Sequence, residues 1–225
     1  MADSTHSIWV DPLAFNIQEN GPPYLPETRA KTASGSVLAK LASLFEGIPM
    51  SELGALTAVV RAAVMMHQTH HWQSRGTSFY GDHLLFDRLY SESVGFVDQL
   101  AERSVGAGSR DLVCPKHQAT MIRALVFHWS QGTSDDPSPV EMVSTSLEII
   151  RCVIDCITSA RGSLETKGQL SDGTDNLLQG ISDKHEEFMY LLQQRAMTAA
   201  ERVASRYVKL DRSTGESKSG SILTE

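Results

Sequence analysis

Cysteine is scarce in this chain, with Cys114, Cys152 and Cys156 the only three among 225 residues. An odd, low number does not read as a disulfide framework. Cys152 and Cys156 stand four apart in a helical pattern, but no further Cys or His lies at zinc-like spacing. They read as small buried hydrophobes. No window approaches the about 18 consecutive apolar residues of a membrane span. The opening MADSTHSIWVDPLAF has no charged start followed by an apolar run, so it does not read as a signal peptide. Positive charge is also in short supply: 20 Lys and Arg stand against 27 Asp and Glu, a formal net charge of -7. That excludes a surface built wholly as a nucleic-acid clamp, although a local basic patch remains compatible with it. Strand-type alternation of any length is missing as well. These absences leave the expectation of a soluble, intracellular, all-α protein.

What is present is helical periodicity. Residues 1–49 read as an N-terminal extension: NGPPYLPE is a proline-rich turn region, and SVLAKLASLFEGI, residues 36–48, is a short amphipathic helix. The first long helix is predicted from Ser51 through Arg75, stopped by Gly76. The second runs from Tyr80–Asp82 to Val105. Residues 107–137 form a long connection containing a short helix, QATMIRALVFHW. Ser138, Pro139 and Glu141 make a start signal for the third helix, which Gly162 is expected to end. A fourth runs from near Thr174 to beyond Arg195, and residues 198–225 form a C-terminal extension. Four long helices with a long crossover between the second and third are the arithmetic of a ferritin-like four-helix bundle.

Polar residues on the second helix share a stripe. His83 and Asp87 are four apart, as are Asp98 and Glu102, and the eleven residues from 87 to 98 span close to three turns. His71, near the end of the first helix, is placed to face the N-terminal half of the second. His83 and Glu102 are nineteen residues apart, roughly 28 Å along a straight helix, so one chain cannot bring them to one metal. Two chains related by a two-fold axis can, with His71, His83 and Asp87 of one meeting Asp98 and Glu102 of the other. Nitrogen plus carboxylate ligation with open positions suits iron. Spacing alone leaves a solvated or pH-responsive face as the other reading.

The stretch HHWQSRGTSFYGDHLLFDRLYSESVGFVDQLAERSVG resembles the signature of the Dps family, the miniferritins of bacterial starvation and oxidative stress. That signature has a His-Trp pair closing the first helix, a Gly at the turn, and a His with a carboxylate four residues on. A later Asp-x-x-Ala-Glu-Arg completes it. Here these are His71-Trp72, Gly76, His83, Asp87, and Asp98 with Ala101-Glu102-Arg103. A weaker likeness continues through SDKHEEFMYLLQQRA, so residues of about 50–197 look like a Dps subunit. Gln73 stands where the family usually has Asn, and both extensions exceed the family's pattern.

The resemblance implies ferroxidase ligands at His71, His83, Asp87, Asp98 and Glu102, in a site shared between two subunits. Trp72 is implied as a close neighbour of the irons. It further implies Fe(II) and hydrogen peroxide as substrates, Fe(III) mineral in a hollow shell of twelve subunits, and a bacterial cytoplasmic or nucleoid location. A three-fold pore near Asp135, Asp136 and Glu141 is implied too. Elsewhere, His67 and His70 read as structural or surface residues, and His185 with Glu186 and Glu187 as a solvated face. DNA binding, the family's other activity, finds little to use. Residues 1–35 carry Arg29 and Lys31 against four carboxylates, and residues 196–225 hold five cations against four anions, a net of 5 - 4 = +1. Counterion release needs clustered cations. The alternative function is a shell acting as a structural or partner-binding scaffold through its arms, or carrying cargo on them.

Overall fold

A computed structural model describes residues 51–108 and 110–197, and among these every regular element is helical. The order is α1 (Glu52–Gln73), a 3₁₀ turn at Gly76–Ser78, α2 (Phe79–Gly106), a second 3₁₀ turn at Arg110–Val113, α3 (Pro115–Trp129), α4 (Pro139–Thr166) and α5 (Asp172–Ala196). The four long helices form the bundle, and α3 is the short helix of the crossover. The expected helix at 36–48 and the two extensions lie outside the described residues.

Local chemistry explains the boundaries. Ser51 caps α1 by accepting from the Gly54 N–H at 3.2 Å, and Ser171 caps α5 by accepting from Thr174 N–H at 3.3 Å. At α4, Ser138 and Glu141 form a reciprocal capping box, with Glu141 Oε2 2.7 Å from the Ser138 N–H. These bonds satisfy backbone donors that a helix start otherwise leaves unpaired. Gly76, with φ of 79°, turns the chain between α1 and α2, a backbone region closed to most side chains.

One expected boundary is corrected. Gly162 does not end α4, which continues to Thr166. Glycine terminates a helix when it takes a positive φ, and Gly168, at φ 64°, does so instead. The Gln169 N–H then bonds back to the Leu164 carbonyl at 2.8 Å, closing the last turn. Two starts also shift by a residue or two, α2 to Phe79 and α5 to Asp172, within the fraying range of helix ends.

Helix α1 packs against α2, α3 and α4, which explains why nearly all of Leu53 to Ala63 is buried. The core divides into two apolar clusters. One joins α1 to Leu100, Met121, Leu125, Ile149 and Ile181. The other lies at the opposite end, where Phe86 and Leu89 of α2 meet Met142 and Ile150 of α4 and Phe188 and Leu192 of α5. That second cluster supports the end of the bundle where α1 turns into α2.

Three histidines also enter the core. His67, His70 and His185 are all buried, so the expectation of a solvated face at His185 is wrong. Its Nδ1 donates to the Ile181 carbonyl at 2.7 Å, while its ring lies edge-on to Phe188. The helical position of His185 faces inward, and the neighbouring Glu186 and Glu187 do not reveal this. No described helix is long and apolar enough to cross a membrane.

Candidate metal centre

Around the α1–α2 turn, the chain brings two predicted ligands into direct contact. His71 Nδ1 is 3.0 Å from the His83 carbonyl oxygen, and His83 Nδ1 is 3.1 Å from the carbonyl of His71. A carbonyl only accepts, so both Nδ1 atoms carry the hydrogen and donate. In the neutral imidazole with that tautomer, Nε2 holds the lone pair that a metal ion takes. The rings are stacked, with centroids 3.8 Å apart and planes inclined by 24°. Phe79 stacks on His83 at 5.1 Å, and Tyr90 meets His71 edge-on at 5.4 Å. The imidazoles are therefore held between two aromatic rings as well as by backbone carbonyls.

Asp87 follows His83 by one turn of α2. Its carboxylate raises the ionisation point of Tyr90, because loss of the proton would place a phenolate beside a carboxylate. Beyond it, Arg88, Glu92, Lys184 and Glu187 form an alternating ion-pair ring tying α2 to α5. Arg88 meets Glu92 at 2.8 Å, and Lys184 meets Glu92 and Glu187 at 3.1 and 2.7 Å.

The first turn of α2 is anchored from the far end of the sequence. Asp82, almost wholly buried, is bonded by Arg195 of α5 and by Ser78 Oγ at 2.6 Å, and Arg195 also donates to Ser78 Oγ at 2.9 Å. Sequence reasoning misses this clamp. Ser78 and Asp82 stand four apart, a local signal, but their partner is 113 positions from Asp82. The clamp holds the residue immediately before His83.

Asp98 and Glu102 are handled differently. Both are exposed, and neither makes a hydrogen bond or ion pair among the described residues. Glu102 lies on the wall of an open groove of about 570 Å³, beside Gln99, Arg103 and Thr174. Among the described residues, no three His, Cys, Asp or Glu side chains converge to hold a metal ion. One subunit thus assembles His71 with His83, keeps Asp87 one turn away, and leaves Asp98 and Glu102 far along the same helix.

The exposed side of α2 has a regular composition. Tyr80, Leu84, Asp87, Ser91, Val94, Asp98 and Glu102 succeed one another at steps of four and three, a seam of the kind that packs against another helix. Tyr80, Leu84 and Val94 are 74%, 48% and 52% exposed, and Trp72, beside His71, is 69% exposed. Large apolar groups left in a row on a soluble surface mark an interaction face. Of the residues expected near a pore, Glu141 is engaged in its capping box and Asp136 in an ion pair with Arg75 at 2.9 Å.

A ferritin-like domain model matches residues 53–210. The chain is 25% identical over 124 residues to the DNA protection during starvation protein of Brevibacillus brevis, covering 55% of this chain and 77% of that one. In three dimensions it is similar to Dps from Thermosynechococcus elongatus, with a TM-score of 0.57, 18% identity and coverage of 75% and 97% of the two chains. It is also similar to the Dps protein of Vibrio cholerae O1, described as a member of a broad superfamily of ferritin-like diiron-carboxylate proteins. There the TM-score is 0.55, with 17% identity over 72% of this chain and 92% of that one. The chain belongs to the ferritin-like domain family, and its similarity to these DNA-protection-during-starvation (Dps) proteins places it with the Dps family.

Proposed function

We propose that this protein oxidises and stores iron at sites shared by two subunits of a hollow shell. The observation that carries the reading is the symmetry of the α2 stripe. The midpoint of His83 and Glu102 and the midpoint of Asp87 and Asp98 coincide, between Glu92 and Ser93. A two-fold axis at that level pairs α2 with its copy antiparallel, and sets the two histidines and Asp87 of one subunit against the Asp98 and Glu102 of the other. The exposed seam containing Leu84 and Val94 supplies the apolar contact for that pairing. The diiron-carboxylate description of the Vibrio protein supports the choice of metal.

The substrates are Fe(II) and hydrogen peroxide. Two ferrous ions each give up one electron, and peroxide takes both, yielding two ferric ions and two hydroxide ions. Paired reduction avoids release of a hydroxyl radical. The neutral Nε2 atoms of His71 and His83 suit Fe(II), and the carboxylates stabilise the more highly charged product. Ferric iron then passes to the shell interior, with the shell expected to hold twelve subunits in the bacterial cytoplasm.

Anaerobic Fe(II) titration of the purified shell, followed by peroxide and ultraviolet monitoring of ferric iron, tests the reading. Rapid oxidation that disappears in Asp98→Ala is expected. A well-assembled shell that binds no Fe(II) would overturn it and favour a scaffold role.

A further inference from the structure

His71 and His83 hold each other through backbone as well as ring atoms. The His83 carbonyl accepts from His71 Nδ1 at 3.0 Å, and His83 Nδ1 donates to the His71 carbonyl at 3.1 Å. A shift of the backbone at residue 83 therefore disturbs both imidazoles. That backbone follows directly on the first turn of α2, which has little of its own to fix it. Ser78 stands at the N-cap position, yet among the described residues its side chain makes no capping bond, the usual device for securing a helix start. Gly81 weakens the turn further. What secures it is Asp82, which is fully buried. Its Oδ2 accepts from Ser78 Oγ at 2.6 Å and from Arg195 Nη2 at 3.0 Å, while Arg195 Nε donates to Oδ1. Arg195 Nη2 also donates to Ser78 Oγ at 2.9 Å. A guanidinium that engages both carboxylate oxygens sets orientation as well as distance.

We propose that Arg195 is a positioning residue for iron, acting through Asp82 and Ser78 to hold the backbone of His83 and with it the His71–His83 pair. This rests on the reading of His71 and His83 as ligands. A ligand set works only when held within about 0.5 Å of its productive geometry. Groups that orient ligands from outside typically contribute about 10–100-fold to metal affinity. Arg195 bonds to no ligand directly, so the lower end of that range applies to it. Coupling of this kind is reciprocal: a metal ion that fixes His83 also steadies the last turn of α5, where Arg195 stands one residue before the end.

The test separates positioning from stability. Arg195→Ala alone would leave a buried charge unpaired, whereas Asp82→Leu combined with Arg195→Met removes both charges together, an exchange that is often neutral for folding. Zn(II) serves as a redox-inert probe in calorimetry on the full-length, assembled protein, with Fe(II) oxidation measured in parallel. The double variant is expected to assemble and to bind Zn(II) about 10-fold more weakly than the parent. Its KM for Fe(II) should rise while kcat changes less, the pattern of lost binding shared by ground and transition states. Zn(II) affinity equal to the parent's would overturn the role of Arg195 while leaving the site itself standing. A parent that binds Zn(II) and Fe(II) no better than Asp98→Ala would overturn both. Should the double variant fail to assemble, the parent decides the matter by hydrogen exchange. Zn(II) must then slow exchange at residues 192–196 of α5 as well as at 79–83, and unchanged exchange in α5 would overturn the proposal.

Discussion

The two ends of α2 contribute to one proposed site in opposite ways. At the N-terminal end, His83 is locked to His71 through paired backbone bonds, flanked by Phe79, and preceded by a buried carboxylate clamped to α5. At the C-terminal end, Asp98 and Glu102 stand on the surface. The nitrogen half is rigid before any metal arrives, whereas the carboxylate half depends on what is brought against it. In the proposed site, preorganisation is confined to the groups a single chain holds together, and a second copy supplies the rest.

The largest effect expected tests whether the halves come from different subunits. Shells of His83→Ala subunits and shells of Glu102→Ala subunits should both be inactive. Co-assembled from the two, each mixed pair places both defects in one site and leaves the other intact, so peroxide-dependent oxidation should return. Mixed shells as inactive as the parents would show that the ligands do not pair across subunits.

Stability should separate the two ends as well. Arg195→Ala leaves the buried Asp82 charge without its main partner and should cost about 3 kcal/mol in denaturant titration. Glu102→Gln, at an exposed position, should shift stability by no more than about 0.5 kcal/mol. Comparable losses in the two variants would erase the distinction between a clamped and a bare end.

Acid should act on the core rather than on either end. Burial depresses His185 to about 4 and His67 well below its usual range. The unfolded chain takes up these protons near pH 6.5, so it binds more protons than the folded state across the window between. Stability is therefore full above about pH 6.5 and falls as pH drops toward 4, by about 3 kcal/mol from His185. Thermal melts across that range measure it. His185→Leu should flatten the slope by that one group's share, and an unchanged slope would remove His185 as its source.

Some of this was legible in the amino-acid order. The Ser138 start signal and the apolar periodicity mark four long helices, because caps and helical faces are local properties of the chain. The spacing of His71, His83, Asp87, Asp98 and Glu102 excludes a site closed within one subunit, because helix rise is a constant of the backbone. Gly162 misled, since a glycine's φ is set by its surroundings and not by its identity.

Tertiary structure decided the remainder. That His71 and His83 exchange backbone bonds depends on how tightly the hairpin closes at Gly76. That Asp82 is a structural anion, that the Tyr90 ring meets His71, and that His185 lies in the core depend on residues distant in sequence arriving at one place. Residue types and spacing determine which groups are available on a helix. Only the packing of one helix on another determines which of them touch, because contact is a property of the assembled bundle.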